Sequence, residues 1–287
     1  MTDKRFVAFF DILGFSKLVE TSSVNDIKVI FHKIFSSILL AQHKYWCRNV
    51  FKLACSDSPE ISGIFAQKLK EAVSLFEGDN QIMIKKQLDL YLTDAFRLGY
   101  LIISDSIIFY SEIIEDDSDA IDIFDQFVNF IRSFFIESFL KKILIRGAIS
   151  YGEFHVDVEN SIYFGKALIE AIRLEKNQQW IGCIFSDSLS GIIASYHIKK
   201  IPSSYKIRFA NSFFHNKTIA KYKAPIKNGE SLERYIVNWY GGVISKIELN
   251  DNFFSSHLTG DPSIDIKYFN TLEYMKWSHS RMQMILL

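Results

Sequence analysis

The sequence has little cysteine and little proline, and each shortage excludes a class of protein. The three cysteines, Cys47, Cys55 and Cys183, are odd in number and show no CxxC spacing, which argues against a disulfide framework or a structural zinc site. With only 4 prolines and 48% hydrophobic residues, the 287-residue chain is neither disordered nor of low complexity. It is long enough to bury a full hydrophobic core.

The chain also lacks an excess of charge and a long apolar run. Its 33 Lys and Arg residues balance 33 Asp and Glu residues, which argues against a protein that binds nucleic acid through a basic surface. No uncharged apolar stretch approaches the ~20 residues that span a bilayer. The N-terminal apolar run is interrupted by Asp11 and has no cleavage site of small residues. We therefore expect a cytoplasmic protein that binds neither nucleic acid nor a membrane.

The common catalytic loops are missing as well. The sequence contains no P-loop, no GxGxxG, no HExxH and no GxSxG. Its histidines are scattered, and none pairs with another at the spacing of metal ligands. Candidate chemistry must therefore come from carboxylates and basic side chains in an unusual context.

The apolar periodicity predicts alternating strands and helices. Strands are predicted at 5–11, at 97–112 as a hairpin with its turn at 104–106, at 143–153, at 180–187 and at 235–242. Helices are predicted from Ser16, from Ser23 to about Gln42, and over 61–78, 120–135, 164–176, 188–196 and 268–287. This order predicts an α+β fold with a mixed sheet flanked by helices. We expect a catalytic domain at 1–200 and a dependent C-terminal part at 201–287 that completes the sheet.

Two aspartates stand out because apolar strands surround them. Asp11 ends the strand FVAFFD, and Asp105 lies between the two strands of the hairpin IISDSIIF. Each could simply stabilise a turn through its own backbone. Adjacent strands would instead bring both carboxylates to one end of the sheet. Two carboxylates and a backbone carbonyl form a hard-oxygen site suited to magnesium or manganese.

Five segments, in order, resemble the class III nucleotide cyclases. The segments are FVAFFDILGFSKLV, IISDSIIFY, LIRGAISYGE, FGKALIEAIRLEK and WIGCIFSDSL, and they span residues 5–196. The resemblance implies a mainly antiparallel sheet with a ferredoxin-like core. It also implies conversion of a nucleoside triphosphate to a 3′,5′-cyclic nucleotide and pyrophosphate, with two Mn2+ or Mg2+ ions as cofactors.

The resemblance also assigns roles to individual residues. Asp11 and Asp105 match the two metal-binding aspartates, and the Ile12 carbonyl matches the backbone ligand. Phe15 closes the first motif and is a candidate substrate contact. Arg173 matches the arginine that stabilises charge on the α-phosphate. Without the resemblance, Arg173 reads as an exposed helix charge that pairs with Glu170 or Glu175.

Three positions depart from the usual family pattern. Ile169 replaces the asparagine that orients the ribose, and Leu101 and Ile162 replace polar residues that read a purine base. In these respects the sequence resembles the pyrimidine cyclases of Pycsar antiphage defence. The resemblance implies UTP as the favoured substrate and cyclic UMP as a second messenger for a separate effector. An adenylate or guanylate cyclase and a non-catalytic nucleotide-binding module remain the alternatives.

In the resembled family two chains of a homodimer share each active site. The metal ligands would then come from one chain and Arg173 from the other. Arg97 has the same strand parity as Leu101 and is a candidate base contact, with a surface ion pair as the alternative. Arg146 lies in an apolar strand and should have a buried or interface partner. Four lysines after residue 216 could reach the triphosphate or lie in a solvated loop: Lys217, Lys221, Lys223 and Lys227.

Overall fold

A computed structural model describes residues 3–54, 98–115, 117–199, 218–242 and 253–286. Within these ranges it contains a seven-stranded sheet of order β2-β3-β1-β4-β7-β9-β8. The strands of this sheet are β1 (Lys4–Ile12), β2 (Gly99–Ile103), β3 (Ser106–Tyr110), β4 (Ile145–Glu153), β7 (Cys183–Phe185), β8 (Ile219–Pro225) and β9 (Ser231–Val237). Among the described strands, only β4 and β7 pair in parallel, so the predicted α+β fold with a mixed, mainly antiparallel sheet is confirmed.

Helices cover the sheet, and a small hairpin lies beside it. The helices are α1 (Phe15–Thr21), α2 (Val24–Ala54), α3 (Asp117–Leu140), α4 (Lys166–Asn177), α5 (Ser190–Lys199) and α6 (Pro262–Leu286). The hairpin pairs β5 (His155–Asp157) with β6 (Ile162–Phe164). No helix in the described part of the chain is long and apolar enough to cross a membrane.

The alternation of β1 explains how the two faces of the sheet differ. Phe6, Ala8 and Phe10 point to the face covered by α3, where Phe10 lies 5.7 Å from Phe134 between ring centroids. The intervening residues point to the opposite face, where α4 packs on β1 and β4. There the Ser150 hydroxyl donates to the Ala167 carbonyl at 2.5 Å. Asp11 belongs to this second face.

Several element boundaries differ from the sequence-based expectation. Helix α2 continues to Ala54 although the apolar period fades after Gln42, because helix propagation needs no amphipathic pattern once a nucleus exists. Phe164 belongs to β6, and α4 begins only at Lys166, after Gly165. A side chain at Gly165 would meet the Glu153 carbonyl at 2.2 Å, so this turn requires glycine.

The lysine-rich segment expected as a loop is instead an edge strand. Lys221 and Lys223 lie in β8, where they alternate with the half-buried Tyr222. This period of two fits an edge strand, and charged residues there discourage pairing with another chain. The predicted strand at 235–242 ends at Val237, and the strand at 180–187 is only Cys183–Phe185. Lys217, Arg97 and the helix predicted at 61–78 lie outside the described residues.

Candidate active site

The end of β1 and the turn of the β2–β3 hairpin lie side by side. Asp11 pairs in register with Ser106, the first residue of β3. The Ile12 N–H donates a hydrogen bond to the Asp105 carbonyl at 3.0 Å. Ser104 adopts a left-handed conformation with φ of 55°, so the hairpin turns over Ser104 and Asp105 alone. The predicted hairpin is therefore present, and it brings Asp105 next to the Asp11–Ile12 segment.

The two aspartates lie close enough to influence one another electrostatically. Burial, followed by the charges of Glu175 and Asp105, raises the pKa of Asp11 to about 6, while Arg146 and Lys267 oppose this rise. The Asp11 side chain is 28% exposed, so it is reachable from solvent. A carboxylate held among like charges is a site that a cation would relieve.

Behind Asp11 is a buried ion pair. Arg146 lies on β4 directly opposite Asp11 in the strand register. Its Nε donates to Glu175 Oε1 at 2.6 Å, a second nitrogen also contacts that oxygen, and Nη1 donates to the Gln178 carbonyl at 2.9 Å. The buried partner predicted for Arg146 is therefore Glu175, which is 2% exposed.

Sequence reasoning did not identify Glu175 as part of the site, although a signal for it exists. Ala167, Ala171 and Glu175 repeat every four residues and form the buried stripe of α4. A glutamate that continues an alanine stripe must find a partner in the interior, because a lone buried carboxylate is costly. Burial raises the pKa of Glu175, and the Arg146 guanidinium opposes that rise.

The C-terminal helix also reaches this region. The Thr271 hydroxyl accepts a hydrogen bond from the Ile181 N–H at 2.8 Å, and the Asn270 amide donates to the Gln179 carbonyl at 2.7 Å. These bonds bring Lys267, one turn earlier on α6, near Asp11. Burial lowers the pKa of Lys267, and the two carboxylates, Asp11 and Glu175, oppose that change. No sequence pattern singles out Lys267.

The oxygen donors of this region fit a hard divalent cation that completes its coordination shell with water or phosphate oxygens. Within the described ranges, no group of three or more His, Cys, Asp or Glu side chains is arranged as a metal site. Asp11, Asp105 and the Ile12 carbonyl supply oxygen donors from adjacent backbone segments. Mg2+ commonly takes one or two carboxylates and completes its shell with water and phosphate oxygens.

The residues predicted on α4 lie on its outer side. Ile169 is 50% exposed, and Arg173, one turn later, is also exposed. The alternative partners of Arg173 are engaged elsewhere, since Glu175 binds Arg146 and Glu170 accepts a hydrogen bond from Ser188 at 3.1 Å. Arg173 itself lies off the buried stripe of Ala167, Ala171 and Glu175, on the solvent side of α4.

The remaining predicted contacts lie on separate elements of the fold. Leu101 is half-buried on β2, on the same face of the sheet as Asp11. Ile162 is 47% exposed on β6, and Lys223 is exposed on β8. Phe15 is 6% exposed and packs edge-on against Phe31, so a substrate contact by Phe15 would have to use its backbone.

No protein-family model and no curated protein matches this sequence. Similar solved structures include the catalytic core of a rhodopsin-guanylyl cyclase with converted specificity in complex with ATPαS, at 14% identity and a TM-score of 0.40. The guanylate cyclase domain from Catenaria anguillulae in complex with GTP has 13% identity and a TM-score of 0.40. For both, the alignment covers 82% of this chain and 96% of the other.

A third similar structure is the monomeric guanylyl cyclase domain of a fusion protein from the aquatic fungus Blastocladiella emersonii. It has 14% identity and a TM-score of 0.37 over 68% of this chain and 86% of the other. All three are distant similarities.

Proposed function

We propose that this chain is a nucleotide cyclase that converts a pyrimidine nucleoside triphosphate, with UTP favoured, to the 3′,5′-cyclic nucleotide and pyrophosphate. The observation that carries the proposal is the juxtaposition of Asp11 with Asp105, joined by the 3.0 Å hydrogen bond from the Ile12 N–H. The five-segment resemblance to class III cyclases is the reason why we interpret these two aspartates as metal ligands. The product would serve as a second messenger in antiphage defence.

Asp11, Asp105 and the Ile12 carbonyl would hold two Mn2+ or Mg2+ ions. Bound divalent ions lower the pKa of a coordinated hydroxyl and neutralise phosphate charge. In the reaction the ribose 3′-oxygen bonds to the α-phosphorus, the bond to pyrophosphate breaks, and the hydroxyl proton leaves to solvent. The chain mainly supplies positioning and charge, so no histidine base is needed.

Arg173 would act on the α-phosphate of a substrate bound to a second copy of the chain. Its exposed position on the solvent side of α4 supports a homodimer with shared sites. A planar guanidinium suits phosphate oxygens. Exposed apolar residues on α4 and β6, Ile169, Ile162 and Phe164, would be covered in such a dimer.

Mixing two inactive variants tests the shared site. Arg173→Ala and Asp11→Ala should each be inactive, and a 1:1 mixture should regain about a quarter of the wild-type activity. This estimate holds because half of the dimers are mixed and one of their two sites is intact. Native mass spectrometry of the two variants, carrying tags of different mass, is the control for subunit exchange. No recovery despite confirmed exchange would place the whole site in one chain.

The apolar residues Leu101 and Ile162 support the choice of a pyrimidine. Apolar side chains cannot form hydrogen bonds with the adenine amino group or the guanine carbonyl, so they do not favour the binding of a purine base. Arg97 is proposed as a base contact and Lys223 as a triphosphate contact. Ile169 favours a second candidate, a nucleotide-binding module without turnover, because it offers no polar group to orient the ribose.

Incubation with each of the four nucleoside triphosphates and Mn2+ tests the proposal, with the products identified by chromatography and mass. We expect cyclic UMP as the fastest product and cyclic CMP as the next. Faster conversion of ATP or GTP would overturn the assignment of a pyrimidine substrate, while the assignment of cyclase activity would stand. Binding of a triphosphate without any cyclic product would favour the non-catalytic module.

A further inference from the structure

The position of Arg146 creates a conflict with the proposed metal site. An arginine beside a carboxylate usually forms a bidentate ion pair that occupies both carboxylate oxygens. Arg146 lies opposite Asp11 in the strand register and is 9% exposed, so it cannot turn away into solvent. A direct Arg146–Asp11 pair would compete with any cation for the oxygens of Asp11.

The structure shows the guanidinium held elsewhere. Glu175 receives Nε at 2.6 Å and also contacts Nη2, and the Gln178 carbonyl receives Nη1 at 2.9 Å. The remaining approach to Asp11, from Nη2 to Oδ2, is 3.9 Å, which is longer than a hydrogen bond. Arg146 therefore forms only a long ion pair with Asp11 and no hydrogen bond to it.

We propose that Glu175 is a positioning residue for the cation site, because it holds Arg146 and thereby leaves the oxygens of Asp11 free to bind a divalent ion. The inference rests on the metal role of Asp11 in the proposed function. Glu175 itself acts through Arg146 and does not contact substrate or metal.

The charges around Asp11 support this arrangement. Besides the charges of Arg146 and Glu175, those of Asp105 and Lys267 also interact with the Asp11 carboxylate. Without Glu175, the positive charges of Arg146 and Lys267 would balance the negative charges of Asp11 and Asp105. No net negative charge would then remain to attract a metal ion. With Glu175 ionised and paired, the local net charge is −1, which favours an incoming divalent cation.

A purely structural role predicts a different outcome. Removing one partner of a buried ion pair is destabilising, because the other charge is left buried and uncompensated. If the pair only supported packing, its removal would change the unfolding temperature, and the affinity for Mn2+ would stay constant. The proposal instead predicts a specific loss of Mn2+ affinity in a folded protein.

The decisive variant is Glu175→Gln, which keeps the shape of the side chain and removes its charge. Arg146 is then free to pair with Asp11, so we expect the Kd for Mn2+ to rise about 10-fold, the scale typical of residues that support metal ligands. Mn2+ binding to the full chain without nucleotide is measured by electron paramagnetic resonance. Thermal unfolding of each variant verifies the fold.

Two further variants make the result specific. Glu170→Gln removes a carboxylate from the outer part of the same helix and should leave Mn2+ affinity unchanged. The double variant Arg146→Met/Glu175→Gln removes the competitor together with its holder, so its affinity should return to within about 3-fold of wild type. This double variant also carries the test if Glu175→Gln alone fails to fold.

Each outcome has one meaning. Equal Mn2+ affinity for wild type and Glu175→Gln, or a double variant as weak as Glu175→Gln, would overturn the role of Glu175 and leave the proposed function standing. Absence of Mn2+ binding by wild type, both without nucleotide and with a non-cyclisable UTP analogue, would instead refute the metal assignment of Asp11, and with it this inference.

Discussion

The two faces of the central sheet serve different purposes, although the same strands build both. On the α3 face, β1 and β3 supply phenylalanines that interlock with those of the helix: Phe109 lies 5.0 Å from Phe130 and 4.9 Å from Phe134 between ring centroids. On the α4 face, β1 carries Asp11, and β4 carries Arg146 against Glu175. Stability should therefore depend on the first face and chemistry on the second.

The comparison teaches how one strand can hold a charged site inside a stable fold. Phe10 is fully buried, whereas its neighbour Asp11 remains 28% exposed. Because side chains alternate along a strand, packing on one face fixes the backbone that presents the carboxylate on the other. Gly147 on β4 makes room for this packing, since a side chain there would meet the Phe10 ring at 2.2 Å.

The largest expected effect is loss of activity from the charged face. Asp105→Asn should reduce cyclisation of UTP by about 1,000-fold or more, since it removes the charge of a proposed metal ligand, and should leave the thermal unfolding temperature near that of wild type. Glu112→Gln, on the segment after β3, serves as a charge-matched control. An active Asp105→Asn variant would remove this residue from the site.

The next effect should come from the aromatic face. Phe134→Ala should lower the free energy of unfolding by about 3–5 kcal/mol, because it leaves a cavity next to Phe10 and Phe109. At a temperature where the variant is still folded, its kcat should stay within a few-fold of wild type. Chemical denaturation and steady-state kinetics on the same sample separate the two quantities. A loss of kcat without a loss of stability would contradict the division between the faces.

The smallest effect should be a pH-dependent gain in stability from Asp11→Asn in metal-free protein. Asp11 has a pKa of about 6 in the folded chain against 3.8 unfolded, so the folded state binds the extra proton between these values. Protonated Asp11 therefore stabilises the folded wild-type protein by about 1–3 kcal/mol below pH ~4. This stabilisation is lost as the pH rises through ~6. The variant should therefore exceed wild type above pH 6 and match it near pH 4.

Denaturation with urea at pH 4, 5, 6 and 7 in the presence of a chelator measures this difference. A difference that is constant across this range would show that the Asp11 carboxylate is not strained by its surroundings. A variant less stable than wild type above pH 6 would contradict the sign of the effect.

The sequence predicted that Asp11 and Asp105 lie side by side, because their placement is local. Asp11 ends an apolar run and Asp105 interrupts another, and both features follow from strand alternation and turn chemistry. The stripe of Ala167, Ala171 and Glu175 signals that Glu175 has an interior partner, but the identity of that partner, Arg146, depends on how α4 packs across β4. The β5–β6 hairpin was missed because its strands have only three residues each.

The Lys221–Lys223 segment was misjudged for a related reason. Its charge suggested a solvated loop, yet its alternation with Tyr222 fits an edge strand that exposes one face. The approach of Lys267 to Asp11 is set entirely by the docking of α6 through Asn270 and Thr271, which is a tertiary event. These residues lie far from the motifs in sequence, so no spacing relates them.

The most direct test of the account is to locate the cation itself. A crystal of the protein with Mn2+ and a non-cyclisable UTP analogue, measured at the manganese absorption edge, would show where the metal binds by its anomalous signal. We expect manganese in direct contact with carboxylate oxygens of both Asp11 and Asp105, with Arg146 still held by Glu175. Manganese that contacts neither Asp11 nor Asp105 would contradict the account.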